Sequence, residues 1–408
     1  MRFQFQLALV SFLVLNLSAA DWPQWRGPKR DGHSPETGLL QEWPAGGPPR
    51  VWKTNGLGAG YSSVAVANGR IFTMGDRGDS SFIHAFDLKG KPLWSAKVGK
   101  PGGGGGYDGP RGTPTVDGEF VYAPGQHGDL VCVAAATGNE VWRKSLTKEF
   151  GGQAGGWSYS ESPLIDGEQL ICTPGGQQGT LLALDKKTGA KTWQASQWKD
   201  SAEYVSPIVA ESAGTRQYIQ LTGNSVGGVA ADSGKVLWRA SRKGATATIP
   251  DPIFHQDHVY VTSGYGVGCN LFKITSTGAS FKVDEVYKNK VMVNHHGGVV
   301  LLGDHLYGYS DSKGWVCQNF KTGEMVWSDK KLGKGSIAYA DGRFYLRSEG
   351  SKGTVALIEA TPDAYRERGR FDQPDRSGKE SWPHPVIAGG RLYLRDQDVL
   401  LCYDIKAK

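Results

Sequence analysis

Beyond residue 20 this sequence has no long apolar run, which excludes a membrane-spanning helix in the body of the chain. It also lacks any useful stretch with a 3.6-residue apolar period, so helices should be rare. Cysteine is scarce. The five thiols, Cys132, Cys172, Cys269, Cys317 and Cys402, sit far apart, with no adjacent pair and no Cys-x-x-Cys. That spacing gives no support to a zinc or haem attachment site, and an odd number cannot pair completely within one chain. Runs such as Val131-Cys132-Val133 read instead as buried thiols acting as small hydrophobes. Charge of one sign is missing too. The 46 basic and 40 acidic residues are interspersed and leave a net charge of +6, too mild to argue for nucleic acid as a partner. The local basic group Arg366, Arg368 and Arg370 reads as a solvated loop.

What is present begins with Met1-Arg2, an apolar stretch from Leu7 to Leu17, and Ser18-Ala19-Ala20 before Asp21. One positive charge, a short apolar core and small residues ahead of the cut predict a secretory signal peptide over residues 1–20. The mature chain is then expected to start at Asp21 and to work in the periplasm or outside the cell. No cysteine follows the apolar run, so a lipid anchor on cysteine is not expected.

The dominant feature of the remainder is a repeat. Trp94, Trp142, Trp193, Trp238 and Trp327 recur at intervals of 48, 51, 45 and 89 residues, the last about two periods, and each stands four residues after a glycine. A period of this length marks a propeller, solenoid or array. Each repeat reads as four short strands. The first follows a Pro-x-Val-Asp-Gly pattern, as in Pro114-Thr115-Val116-Asp117-Gly118, and the second alternates, as in Phe120-Val121-Tyr122. The third resembles Leu182-Ala183-Leu184-Asp185, and the Gly turn and Trp strand complete the unit. Repeat starts fall near Ser63, Thr113, Ser162, Ser206, Asp251, Gly297, Ser336 and His384, eight in all. The eighth ends at Lys408 without a Trp strand, whereas Val51-Trp52-Lys53 is a Trp strand without a repeat before it. Ring closure is the economical solution: the N-terminal strand completes the last blade and removes open sheet edges. The expectation is an all-β, eight-bladed β-propeller over residues 50–408, with four-stranded antiparallel blades. Residues 21–49, rich in Trp and Pro, are expected to form an ordered strap over the ring. The fifth repeat lacks its Trp and has Phe281 and Lys282 in that neighbourhood; the seventh has Thr361-Pro362-Asp363-Ala364-Tyr365 in place of the Gly turn.

The pattern that is nearly complete in Ala183-Leu184-Asp185-Lys186-Lys187-Thr188-Gly189-Ala190-Lys191-Thr192-Trp193 resembles the pyrroloquinoline-quinone (PQQ) repeat. The resemblance covers about residues 50–408. It implies an eight-bladed ring whose repeat tryptophans are structural. Within the family some members are enzymes binding PQQ and Ca²⁺ on the axis, and others act as interaction platforms without quinone, so the repeat speaks to fold more than to chemistry.

In such a ring the loops that lead from one blade to the next run inward across one face. Here they carry Tyr107, Asp108, Arg111, Trp157, Tyr159, Glu161, Glu203, Tyr204, His295, His296, Trp382 and His384, with Asp251 at a strand start. Loops on a rigid scaffold are where binding groups concentrate. Toward a planar anionic quinone, Arg111 would grip carboxylates, Trp157, Tyr159 or Trp382 would stack, and His384 would complete the wall. Glu161 and Asp251 would hold Ca²⁺ or serve as a carboxylate base. His295 and His296, neighbours in an extended segment, point opposite ways and do not easily share one ion. The chain departs from the family's alcohol dehydrogenases in lacking an adjacent Cys-Cys pair, a haem-binding Cys-x-x-Cys-His and their greater length. The favoured expectation is therefore a binding or interaction module taking an unknown protein or small-molecule ligand at the axial face. The alternative is a PQQ- and Ca²⁺-dependent dehydrogenase of an alcohol or sugar, and a third reading is a carbohydrate-binding propeller, given the aromatic mouth.

Overall fold

The computed structural model describes residues 21–102, 106–278 and 280–407. The leader expected over residues 1–20 lies outside them. Eight four-stranded antiparallel sheets are present, seven with their strands in chain order. Their innermost strands are Ala65–Ala67, Thr115–Asp117, Leu164–Asp166, Ile208–Ser212, Ile253–His255, Val299–Leu302, Gly335–Ala340 and Val386–Ala388, which define blades one to eight. Blade eight is closed from the other end of the chain. Arg50–Thr54 pairs antiparallel with Val399–Asp404, placing Trp52 opposite Cys402. Among the described residues the one helix is Leu146–Phe150, capped by the Ser145 side chain and ended by Gly151 at φ 63°.

The repeat tryptophans lie on the outermost strands and join blade to blade. Opposite them on the third strand stand small residues: Ala85 faces Trp94, Cys132 Trp142, Ala183 Trp193, Gly228 Trp238, Cys317 Trp327 and Cys402 Trp52. An indole needs that room, and three of the cysteines supply it. All five thiols are buried and unbonded to one another. All of these indoles except Trp238 then reach the turn of the next blade. Trp142 Nε1–H donates to Lys186 O (2.9 Å), Trp193 to Ala231 O (3.1 Å), Trp94 to Ala135 O (3.2 Å) and Trp52 to Leu88 O (2.9 Å). The indole covers the turn glycine itself: a Cβ on Gly138, Gly189 or Gly234 would fall 2.6–2.9 Å from the preceding blade's Trp ring. Those glycines also have φ of 69–77°. The repeat therefore requires glycine twice over, for its left-handed backbone and for its missing side chain.

The two degenerate blades show what replaces this joint. In blade five the Trp register belongs to Tyr287, opposite Leu271, and not to Phe281 or Lys282. Its hydroxyl donates to Phe320 O at 2.9 Å, the turn that carries Gly323. The strands of this hairpin, Gly268–Ser276 and Phe281–Asn289, run nine residues each, which shifted the register away from the expected position. Blade five's turn glycine, Gly278, is left-handed at φ 87° but an added Cβ there would meet nothing within 4 Å, so no indole covers it; Trp238 Nε1–H instead donates to Gln217 Oε1 in its own blade. In blade seven the register position is Gly369, and Trp43 of the strap fills the space, its ring 5.5 Å from Phe371 and 5.8 Å from Tyr345. Arg368 and Arg370 lie on this blade's outer strand, Glu367–Phe371, rather than on a loop. Arg366 just before it and Arg368 pair with Glu359, and Arg370 pairs with Glu367.

Residues 21–49 cross the face on which the Gly turns lie. The backbone of Trp22 exchanges hydrogen bonds with Val66 of blade one (2.8 Å each), Pro23 O accepts from Val116 of blade two, and Gly32 and Ser34 bond to Tyr339 of blade seven. Between these ties the strap sends Trp25, Arg26 and Arg30 up the central axis.

Candidate functional site

On the opposite face the blade-to-blade loops and the hairpins between second and third strands surround a funnel of about 960 Å³, open mouth included. Its floor is Trp25 of the strap. The indole Nε1–H donates to Asp251 Oδ2 at 2.7 Å, and the ring lies 4.5 Å from that of His384. One wall is built around Trp382, whose ring centre is 4.5 Å from Tyr61, 4.9 Å from Tyr107 and 5.5 Å from His296. From another sector come Trp157 and Tyr204, edge to face at 6.0 Å, with the Tyr204 hydroxyl accepting the Trp157 amide N–H. Ring packing of this kind fixes side chains that would otherwise sample several rotamers.

Charges are held behind and beneath these rings. Glu349, on a blade-seven hairpin, accepts from Trp382 Nε1–H (2.8 Å) and His296 Nε2–H (2.6 Å). Burial alone would raise its carboxyl, but these hydrogen bonds and the nearby His296 and Lys334 charges hold it at about 2. His295 is bonded to the Tyr265 hydroxyl (2.8 Å) and to the Lys334 ammonium. Burial first, then His296 and Lys334, depress it to about 3, so it is neutral near pH 7. Arg111 donates Nη2–H to Tyr107 O (2.8 Å) and Nη1–H to Trp157 O (3.3 Å), and lies over the Tyr61 ring at 5.8 Å. Among the described residues no carboxylate pairs with it within 4 Å. Under the floor, Arg26 and Arg30 are buried with Asp251 and Glu161. Burial pushes Glu161 up to about 7 despite the Thr173 hydrogen bonds and the Arg30 charge, and raises Asp251 against the pull of Arg26 and Arg30.

Of the residues singled out in the sequence, Arg111, Trp157, Trp382 and His384 line the funnel, together with Tyr107, Tyr204, His295 and His296. Tyr159, Glu161 and Asp251 do not. Tyr159 turns into the blade core and donates its hydroxyl to Pro174 O at 2.8 Å. Glu161 accepts the Thr173 amide at 2.6 Å inside the ring, and Asp251 lies beneath Trp25. Side chains alternate along an extended loop, so neighbours of a wall residue face away from it. Sequence reasoning missed Trp25, Tyr61, Tyr265 and Glu349. Tyr61 was within reach, because ring closure makes residues 55–64 one more blade-to-blade loop. Tyr265 and Glu349 belong to hairpins that share the same face by topology, and Trp25 could be placed only by seeing the strap enter the axis.

Glu161 and Asp251 do not fit a calcium ligand set. Calcium takes six to eight oxygens, but Asp251 already accepts from Trp25 and from Ser206 N–H (2.9 Å), with Arg26 Nε 4.0 Å away. A divalent cation there would also face two buried guanidiniums. Among the described residues no group of three or more His, Cys, Asp or Glu side chains gathers as metal ligands. Neither carboxylate reaches the funnel, so neither is placed to take a proton from a molecule within it.

A family model described as outer membrane protein assembly factor BamB matches residues 79–329. An outer membrane protein assembly factor BamB of Shewanella oneidensis is 26% identical over 261 residues, which is 58% of this chain and 60% of that protein. The chain therefore aligns with about three-fifths of the length of this curated relative. Among solved structures, BamB of Moraxella catarrhalis superposes with a TM-score of 0.61 at 16% identity, over 88% of this chain and 98% of that one. Quinohemoprotein alcohol dehydrogenase of Comamonas testosteroni gives 0.64 at 12% identity, over 95% and 81%. A computationally designed protein, Ika8, gives 0.58 at 10%, over 88% and 100%. At such identities the superpositions speak to the fold alone. With the family match spanning more than half of the sequence and the repeat register seen blade by blade, this chain belongs to the PQQ-like-repeat propeller family described as outer membrane protein assembly factor BamB.

Proposed function

We propose that this propeller is a binding module working outside the cytoplasm, in the periplasm or secreted, and that its ligand or partner seats in the axial funnel. Arg111, Trp157, Trp382 and His384 form the contact surface in this reading. The observation that carries it is the aromatic wall around Trp382, locked from behind by Glu349 and floored by Trp25. A pre-formed concave site with large rings and few polar groups is the ordinary build of a ligand pocket. The leader-like segment over residues 1–20 and the description of the relatives as outer-membrane assembly factors support the location. A PQQ-dependent dehydrogenase has less support, because Glu161 and Asp251 are committed to the plug beneath the floor.

The test is a tryptophan-fluorescence titration of the full chain with PQQ plus Ca²⁺, and with panels of saccharides and short peptides. The expected result is saturable binding of a panel member that weakens by about ten-fold or more in Trp157→Ala and Trp382→Ala. Stoichiometric uptake of PQQ with Ca²⁺, accompanied by dye-linked oxidation of an alcohol, overturns the reading.

A further inference from the structure

Resting on the funnel as a binding site, we infer that its ligand is the end of a saccharide whose terminal pyranose carries one anionic substituent, a carboxylate or a sulfate ester. Three features of the funnel converge on this chemistry.

The first is the shape of the aromatic wall. Tyr61, Tyr107 and His296 are tilted by 37°, 33° and 46° against Trp382. The wall is concave, and none of these three rings lies parallel to Trp382 to sandwich a flat fused-ring molecule with it. A puckered pyranose presents a face of C–H groups that stacks on such rings, and hydroxyls around its rim. The second is unspent hydrogen-bonding capacity. The phenol oxygens of Tyr61 and Tyr107 have no protein partner among the described residues, and Tyr204 accepts from Trp157 N–H, which leaves its own proton to donate. Sugar hydroxyls both donate and accept, so one ring can serve all three. The third is Arg111. Its bonds to two backbone carbonyls fix the guanidinium but leave the rest of its donors free, and the neighbouring Asp108 carboxylate acts on its charge without forming an ion pair. A planar guanidinium pairs bidentately with a carboxylate or sulfate.

The plug sets the direction of approach. With Trp25 across the axis, nothing threads through the ring, so a chain enters by its end. The strap already bonds to the inner strands of blades one, two and seven, so an extended peptide cannot pair with those three.

The test uses the full chain with methyl β-D-glucuronide, glucose 6-sulfate and methyl β-D-glucoside, read by calorimetry and tryptophan fluorescence. The charged sugars should bind about ten-fold or more tighter than the glucoside, and in Arg111→Gln the difference should shrink to about two-fold or less. Arg111→Lys, which keeps the charge and loses the fork, should fall between them. Tighter binding of the glucuronide assigns the carboxylate, and tighter binding of the sulfate assigns the ester. Equal affinity for the glucoside, or undiminished discrimination in a folded Arg111→Gln, overturns the charge assignment. No response to any of the three overturns the saccharide assignment. The funnel reading itself falls separately, if a ligand found by the broader panel binds Trp157→Ala and Trp382→Ala as tightly as the native chain.

Discussion

Gly189 shows how much one residue carries in this molecule. Its φ of 69° is a backbone conformation that side chains rarely adopt, and an added Cβ would sit 2.9 Å from the Trp142 ring. Gly118 shares the first property, with φ 54°, but meets nothing within 4 Å. The two glycines therefore separate backbone strain from the inter-blade joint. Gly118→Ala is expected to destabilise by about 1 kcal/mol and Gly189→Ala by about 2–4 kcal/mol, since the latter adds overpacking against a buried indole. Denaturant unfolding of both variants measures the difference, and equal losses would mean that the Trp142 contact adds nothing. The Trp–Gly spacing was plain in the sequence at this scale. The reason for it was half visible, because the turn predicted a left-handed glycine but not the neighbouring blade's indole lying on it.

At the scale of the element, the closing strand is the most exposed to test. Arg50–Thr54 supplies the outer edge of blade eight, and Trp52 docks over Gly90 of blade one as the repeat tryptophans do elsewhere. Removing residues 50–54 leaves Val399–Asp404 with an unpaired edge and opens the joint between the last and first blades. The variant should melt lower by several degrees and self-associate in size-exclusion chromatography; a monomer with native melting would show that closure lies elsewhere. The strand could be anticipated because a repeat without a Trp strand and a Trp strand without a repeat are complementary. Blade five was harder. Its lengthened hairpin moves the register by several residues, and Tyr287, unlike a tryptophan, carries no distinctive mark among the sequence's many tyrosines.

At the scale of the whole molecule, the strap turns an open ring into a funnel with a floor, and it does so by burying charge. Glu161 sits in that plug with its carboxyl pushed up to about 7, against a usual value of 4.5. Between those limits the folded chain keeps a proton that the unfolded chain releases, so this group's contribution to stability falls as pH rises, by about 3 kcal/mol across the window. Glu161→Gln removes that dependence. Its stability relative to the native chain should improve between about pH 5 and pH 8, measured by denaturant unfolding at each pH. A gap that stays constant with pH would mean the carboxyl ionises normally in the plug.

The ring was legible along the chain: eight units, their strand order, the closing strand and the docking tryptophans. Each of these rests on local spacing that repeats, and a repeated unit must bury its faces against copies of itself. The same spacing also marked which loops point inward, and so brought Arg111, Trp157, Trp382 and His384 into consideration. Which side chains on those loops face the funnel emerges from the folded molecule alone, because one step along an extended segment reverses the direction of a side chain. The fold alone placed Trp25 as the floor and consigned Asp251 and Glu161 to the buried plug, since nothing in the local pattern of residues 21–49 encodes where on the ring they cross.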